Sequence, residues 1–360
     1  MSKCLYCASD ADSLEHALPA AFGEFMGAPN LNGRICAGCN TRRLSLLDQQ
    51  IARCGPEGFM RKFYGVQGRP ENAKVNPFAR GSAGGRRLEF STFDREVGVE
   101  VNLEIENGIV TQMCELIFVE TESRRVHHLP LSENMTAAQV RMGMARLAIA
   151  IPYETRISCY PHEQEWIQKL MKEVSPGVNF SEGKLMSTVI EKPRVNFVLG
   201  ERYFRALAKI GYHYFLTQFP MYTGHEDVFA RIRTFIYEDT NEPVRRVNEF
   251  ISMRQHPLLQ QMLDPRVRPD GWRAHVLAAE AQPGVCVAHV HLFLTEESAG
   301  QIYTIILAQD ATLTQQNAFA HAYHYYSEGK RGRFSGEAKP LASLRMDIPF
   351  PPAKPVIAVE

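Results

Sequence analysis

The chain has 360 residues, 45% hydrophobic and 22% charged, which is too long for one small domain and ordinary for a globular protein rather than a fibrous or disordered one. Its 40 basic and 40 acidic residues cancel, which argues against a uniformly basic coat for nucleic acid; residues 1–90 nevertheless hold 12 Lys and Arg against 8 Asp and Glu, leaving 28 against 32 beyond them. No run of eighteen apolar residues is present, so no hydrophobic helical span of a bilayer is expected.

The first chemistry in chain order is carried by cysteine. Four of the eight cysteines form two pairs, Cys4-x-x-Cys7 and Cys36-x-x-Cys39. Two intervening residues let both thiolates of a tight knuckle face one ion, and two knuckles complete a tetrahedral zinc site. Twenty-eight residues separate Cys7 from Cys36, enough for a strand and a turn. A zinc ion there would contribute roughly 10–16 kcal/mol to folding a segment with little core of its own. The start MSKCLYC lacks the basic residues and apolar core of a secretory signal, so a cytoplasmic setting is expected, where paired cysteines bind metal more often than they form disulfides. Cys54, Cys114, Cys159 and Cys286 are isolated and read as small apolar residues.

Between the knuckles lie Ser13-Leu14-Glu15-His16-Ala17-Leu18-Pro19, Phe22-Gly23 and Pro29-Asn30-Leu31-Asn32-Gly33; Asn40 and a helical pattern of Leu44, Leu47 and Ile51, with Asp48 beside it, follow the second pair. A histidine titrating near ~6.5 can take a proton from water at neutral pH, as phosphodiester hydrolysis requires, and His16 is the histidine this segment offers. Consecutive strand residues point to opposite faces, so Glu15 and His16 serve one site only if the strand bends between them.

The string C-x-x-C, E-H-x-x-P, C-x-x-C-N resembles the HNH endonuclease superfamily, in its four-cysteine, zinc-stapled ββα-metal variant, over about residues 4–55. The resemblance implies a DNA phosphodiester hydrolase, with His16 as the water-activating base and Glu15 and Asn40 as ligands of a catalytic Mg²⁺ or Mn²⁺. Zinc would serve the scaffold, while the second ion would stabilise the leaving oxygen. Asp48 is expected to support the centre. The bracing asparagine of such modules falls at Leu31 here, leaving Asn30 or Asn32 to serve through a one-residue shift. Arg42 and Arg43 are the candidate DNA contacts.

Residues 56–85 are rich in Gly, Pro, Arg and Asn and read as a linker or surface loop. Leu88–Phe90, Val97–Ile105 and Ile109–Val119 read as strands, with Asn107-Gly108 as a hairpin turn. Thr136 to Gln139 resembles a capping box opening a helix through Leu147. His162–Val174 reads as a helix and Ser187–Leu199 as a strand. Helices over 202–216, with Phe204, Leu207, Ile210 and Phe215 as a core stripe, and over Asp227–Tyr237 follow. Strands are expected at Trp272–Ala278, Val285–Leu294 and Ile302–Ala308, with His289 and His291 on one face in a structural role. His321 and His324, among Tyr323, Tyr325 and Tyr326, are expected on a helix face before a basic stretch at Lys330, Arg331 and Arg333.

The fold class expected is α+β: a zinc-stapled HNH module at 1–70, a linker at 71–85, a larger mixed α+β domain at 86–345 and a Pro-rich tail at 346–360. DNA is the expected partner, with no membrane contact, and defence against foreign DNA is a reasonable setting. The pattern leaves room for a homo-oligomer and for a small-molecule or protein trigger acting through the C-terminal domain. Two rivals stand beside it: a non-catalytic zinc ribbon that binds nucleic acid, and a sensor whose main activity lies in the C-terminal domain.

Overall fold

The computed structural model describes residues 2–66, 89–94, 98–106, 109–149, 152–177, 179–181, 193–196, 199–238, 247–255, 273–295, 301–325 and 335–340. The fold is mixed α+β, as expected. The expected linker at 71–85, the Asn107-Gly108 turn, the basic stretch at Lys330, Arg331 and Arg333 and the tail at 346–360 lie outside the described residues.

The N-terminal segment runs β1 (Ser13–His16), β2 (Glu24–Met26), β3 (Asn30–Ile35), a π-helical turn at Cys39–Leu44, α1 (Ser45–Cys54) and α2 (Pro56–Phe63). β1 and β3 form an antiparallel hairpin that leads into the helix, the ββα order. The reading of residues 56–63 as linker is corrected by α2. Pro56 sits at its first turn, where the missing N–H costs nothing, and Phe59, Met60 and Phe63 recur at helical spacing.

Next come β4 (Glu89–Asp94), β5 (Val99–Glu106), β6 (Ile109–Gln112), β7 (Glu115–Glu120), β8 (Val126–Pro130), α3 (Ala137–Leu147), β9 (Tyr153–Ser158), α4 (Gln164–Val174) and β10 (Arg194–Asn196). β10-β4-β5-β6 make one antiparallel sheet and β8-β7-β9 another. Leu116, Phe118, Leu129, Val140, Ile167 and Leu170 form the core that α3 and α4 share with the second. The capping box is present: the Gln139 N–H donates to Thr136 Oγ1 at 3.3 Å, and the Thr136 N–H to Gln139 Oε1 at 2.8 Å.

The last part holds α5 (Glu201–Gln218), α6 (Ala230–Tyr237), α7 (Val247–Phe250), β11 (Ile251–Gln255), β12 (Arg273–Gln282), β13 (Val285–Thr295), β14 (Gln301–Gln309), β15 (Asn317–Tyr325) and β16 (Ser335–Pro340). These strands form a seven-stranded sheet, β11-β14-β13-β12-β15-β16-β2, whose last member comes from the N-terminal segment and pairs parallel with β16. His321 and His324 are therefore on a strand, not a helix. The sequence Asn317-Ala-Phe-Ala-His-Ala-Tyr-His-Tyr325 alternates small and large residues with period two, the strand signature. His289 and His291 do share a face of β13, and both are buried.

α5 is buried along 14 of its 18 residues, including the whole of the Phe204, Leu207, Ile210 and Phe215 stripe. A helix apolar nearly all round must be covered nearly all round. The seven-stranded sheet covers one side, and α1 and β3 lie against another. Residues 2–66, α5 and the sheet accordingly share one hydrophobic core. Gly211 sets the closest approach to the sheet: a Cβ there would fall 2.8 Å from Ile305 Cδ1 and 3.0 Å from Ala288 Cβ. α2 reaches α5 through Glu57, whose buried Oε1 accepts the Tyr203 hydroxyl hydrogen at 2.8 Å while its Oε2 has no hydrogen-bond partner among the described residues. Burial pushes the Glu57 carboxyl up to about 7 against the Tyr203 hydrogen bond.

Two stability measurements test this packing. Gly211→Val should destabilise the chain by about 1–3 kcal/mol in a denaturant titration, because the added methyls overpack the helix–sheet contact; an unchanged midpoint would mean that the helix stands further from the sheet. For Glu57, the folded value lies above the unfolded one. Its contribution is thus fully present below about pH 4 and lost as pH rises through about 7. Glu57→Gln removes that loss, so the variant should gain about 2–3 kcal/mol on the wild type between pH 4 and pH 8. A difference that stays flat with pH would show that Glu57 is not held in this burial.

Candidate functional site

Cys4 and Cys7 stand on the first turn and Cys36 and Cys39 on the turn into the π-helical segment. The two are tied by the Leu5 N–H donating to the Arg34 carbonyl at 2.9 Å. The Asp12 carboxylate accepts from the Ala37 N–H at 2.7 Å, fixing the second knuckle. The four sulfurs lie within 4.8 Å of one another, with Cys7 to Cys36 at 3.6 Å and Cys7 to Cys39 at 3.5 Å. A tetrahedron with ~2.3 Å Zn–S arms has edges of roughly 3.8 Å, so the cluster fits a zinc ion. All four cysteines are free of disulfides, and the Cys39 N–H donates to Cys36 Sγ at 3.3 Å.

Hydrogen bonds with Ser9 hold the Cys7 thiol down at about 6, whereas burial pushes Cys4 and Cys39 up. Cys7 thus offers a ready thiolate, while the Cys4 and Cys39 thiols give up their protons when a cation replaces them. The end of α6 closes over the cluster: Tyr237 Oη is 3.2 Å from Cys39 Sγ, Tyr6 stacks on Tyr237 at 5.2 Å, and Arg43 lies 4.5 Å over the same ring.

Beside the cysteines the hairpin sorts its residues by face. Leu14, His16, Asn30 and Asn32 are exposed or half-exposed, whereas Glu15 and Leu31 are buried. His16 pairs with Asn30 across the hairpin, Glu15 with Leu31 and Leu14 with Asn32. Leu31, at the position of the expected bracing asparagine, is core, and Asn30 is the residue opposite His16. The strand irregularity falls between Ser13 and Leu14, upstream of the bend that a joint role of Glu15 and His16 requires. Glu15 and His16 keep opposite faces.

Glu15 points into the protein. Its Oε1 accepts from Lys209 Nζ at 2.5 Å, and the same ammonium lies 2.7 Å from both Asp48 oxygens. Lys209 is fully buried and Glu15 is 6% exposed. His213, one turn along α5, places Nδ1 3.7 Å from Glu15 Oε1 and accepts the Tyr6 hydroxyl hydrogen at Nε2, 2.8 Å away. That tautomer suits a histidine that burial holds neutral. Burial pushes Glu15 up, but Lys209 and His213 outweigh it and hold the carboxyl at about 2. Burial, helped by the Glu15 charge, leaves Asp48 at about 6 in spite of Lys209.

Asn40 donates from Nδ2 to Ser13 Oγ and to the Leu14 carbonyl, each at 3.4 Å, holding the helix start against β1. Glu15 is therefore engaged by Lys209, an arrangement that does not fit the Mg²⁺ or Mn²⁺ ligand expected of it, while Asn40 donates through Nδ2 and its Oδ1 lies outside those two bonds. Arg42 and Arg43 are both exposed.

Sequence reasoning passed over Lys209 and His213. Their signal is the spacing of Arg205, Lys209 and His213, one polar residue per turn in an otherwise apolar helix. Arg205 caps the end of α6 through the Ile236 carbonyl at 2.9 Å, and the other two meet the hairpin. No protein-family model, curated protein or solved structure matches the chain. Among the described residues no helix is long and apolar enough to cross a membrane.

The cysteine geometry predicts one zinc per chain by metal analysis. Cys36→Ser, which removes one ligand, should lower zinc affinity by at least an order of magnitude and loosen residues 2–66 in hydrogen exchange. A metal-free preparation with native protection in that segment would show the cluster to be dispensable.

Proposed function

We propose that the N-terminal segment is an HNH-type module and that the chain is an endonuclease hydrolysing DNA phosphodiester bonds. The observation that carries this reading is the joining of a ββα unit to a zinc-competent four-cysteine cluster, with His16 on the outer face of the first strand opposite Asn30. His16 takes the proton of the attacking water, Asn30 steadies it from the paired strand, and exposed Arg42 and Arg43 meet the phosphate backbone. Zinc is the structural ion, and Mg²⁺ or Mn²⁺ is the activating ion that the sequence resemblance implies. Defence against foreign DNA is the setting proposed for the activity.

One observation favours a second reading. Glu15 and Asp48 both bind the same ammonium, that of the buried Lys209. A module with its acids so engaged suits a zinc-stapled nucleic-acid binder without catalysis, or an effector that the C-terminal part controls through α5.

Zinc-loaded protein incubated with supercoiled plasmid and Mg²⁺, and separately Mn²⁺, distinguishes the two. Wild type should give nicked or linear DNA, and His16→Ala should cut some 10²–10⁴-fold more slowly. Equal cutting by both would remove His16 from the mechanism. An inert wild type that still retards DNA on a gel would establish the binding reading.

A further inference from the structure

The geometry points to Lys209 as the resident cation of the Glu15–Asp48 pair: its ammonium occupies the place where an HNH-type centre would recruit a divalent ion, and the folded chain binds no divalent ion there. An ammonium has three N–H donors and no acceptor. Lys209 meets Glu15 Oε1 at 2.5 Å and Asp48 Oδ1 and Oδ2 at 2.7 Å each, so all three are used on carboxylate oxygens.

The surroundings make the occupancy permanent. Mg²⁺ holds near-octahedral geometry and keeps several waters. Glu15 is 6% exposed and the Asp48 side chain 23%, so an ion can reach the pair only from the Asp48 side, and there the ammonium already holds the carboxylate oxygens. Lys209 cannot swing clear either, because its flanking residues Ala208 and Ile210 are fully buried and Gly211 seats the same turn against Ile305 and Ala288. Withdrawing the ammonium would require lifting α5 from the seven-stranded sheet. The remaining groups against the pair are His213, which burial holds neutral, and Tyr6, whose hydroxyl burial keeps protonated. Lys209 is thus the full positive charge that faces Glu15 and Asp48 in this cluster. It acts as a positioning residue, fastening β1, and with it His16, to α1 and α5.

This inference deepens the nuclease reading in respect of its metal, but it is read out by binding, so a chain that cuts no DNA can still bear it out. The experiment titrates Mn²⁺ into zinc-loaded full-length protein and follows free Mn²⁺ by its electron paramagnetic resonance signal. Wild type and Glu15→Gln should behave alike. Lys209→Met should gain one Mn²⁺ per chain, and the double variant with Glu15→Gln should lose it. A wild-type site abolished by Glu15→Gln would overturn the inference, as would a folded Lys209→Met that binds no Mn²⁺. Should Lys209→Met fail to fold, the ¹⁵N resonance of the Lys209 ammonium in wild type decides the matter. It should be slow to exchange and unbroadened by added Mn²⁺, and broadening would show the ion entering the pair.

Discussion

A lysine with no exposure to water can remain charged only if carboxylates surround it, and here the two carboxylates come from different elements. Glu15 is on the hairpin and Asp48 on α1, while Lys209 belongs to a helix some 160 to 190 residues further along the chain. The desolvation of three ionisable groups is a cost of several kcal/mol per ion, which mutual attraction offsets only when the geometry is close and the hydrogen bonds are complete. Both conditions hold, and they fix the register between the N-terminal segment and α5 more tightly than apolar contact would.

A second seam joins the same two parts on the far side. The fully buried His275 accepts the Phe293 N–H at Nδ1, and its Nε2 hydrogen goes to the Tyr325 oxygen. Tyr325 passes its own hydrogen to the Phe22 carbonyl at 2.6 Å. Burial brings His275 down to about 3, so the relay stays neutral and needs no counter-charge. Beside it β2 adds a parallel edge strand to β16. One seam is ionic and ties the hairpin and α1 to α5; the other is neutral and ties Phe22 and β2 to the seven-stranded sheet.

Much of this was legible because it is local. The cysteine spacing, the Thr136–Gln139 cap and the apolar stripe of α5 are patterns within one or two turns, and each stands where its spacing put it. The reading went astray where two periodicities compete. Aromatics and histidines around His321 suggested a helix, but the alternation with Ala318, Ala320 and Ala322 is the stronger signal. Pro56 opens a stretch whose composition reads as linker, yet it stands in the first turn of α2. The four-cysteine cluster was legible in the sequence, and the inward contacts of Glu15 were not. Nothing in the sequence near Glu15 announces Lys209, because the pairing depends on a helix arriving from the other end of the chain.

That asymmetry bears on how the hairpin is held. His16 and Glu15 are neighbours in sequence but belong to different environments, one facing solvent and the other locked to α5. Glu15 ties the inner face of β1 to Lys209 of α5, and His16 follows it on the outer face of the same strand. α5 in turn is seated at Gly211 on β13 and β14, whose remaining edges pair with β12 and β11. The hairpin therefore meets the seven-stranded sheet through α5, by the ion pair of Glu15 with Lys209 on one side and the close seat of Gly211 against Ile305 and Ala288 on the other.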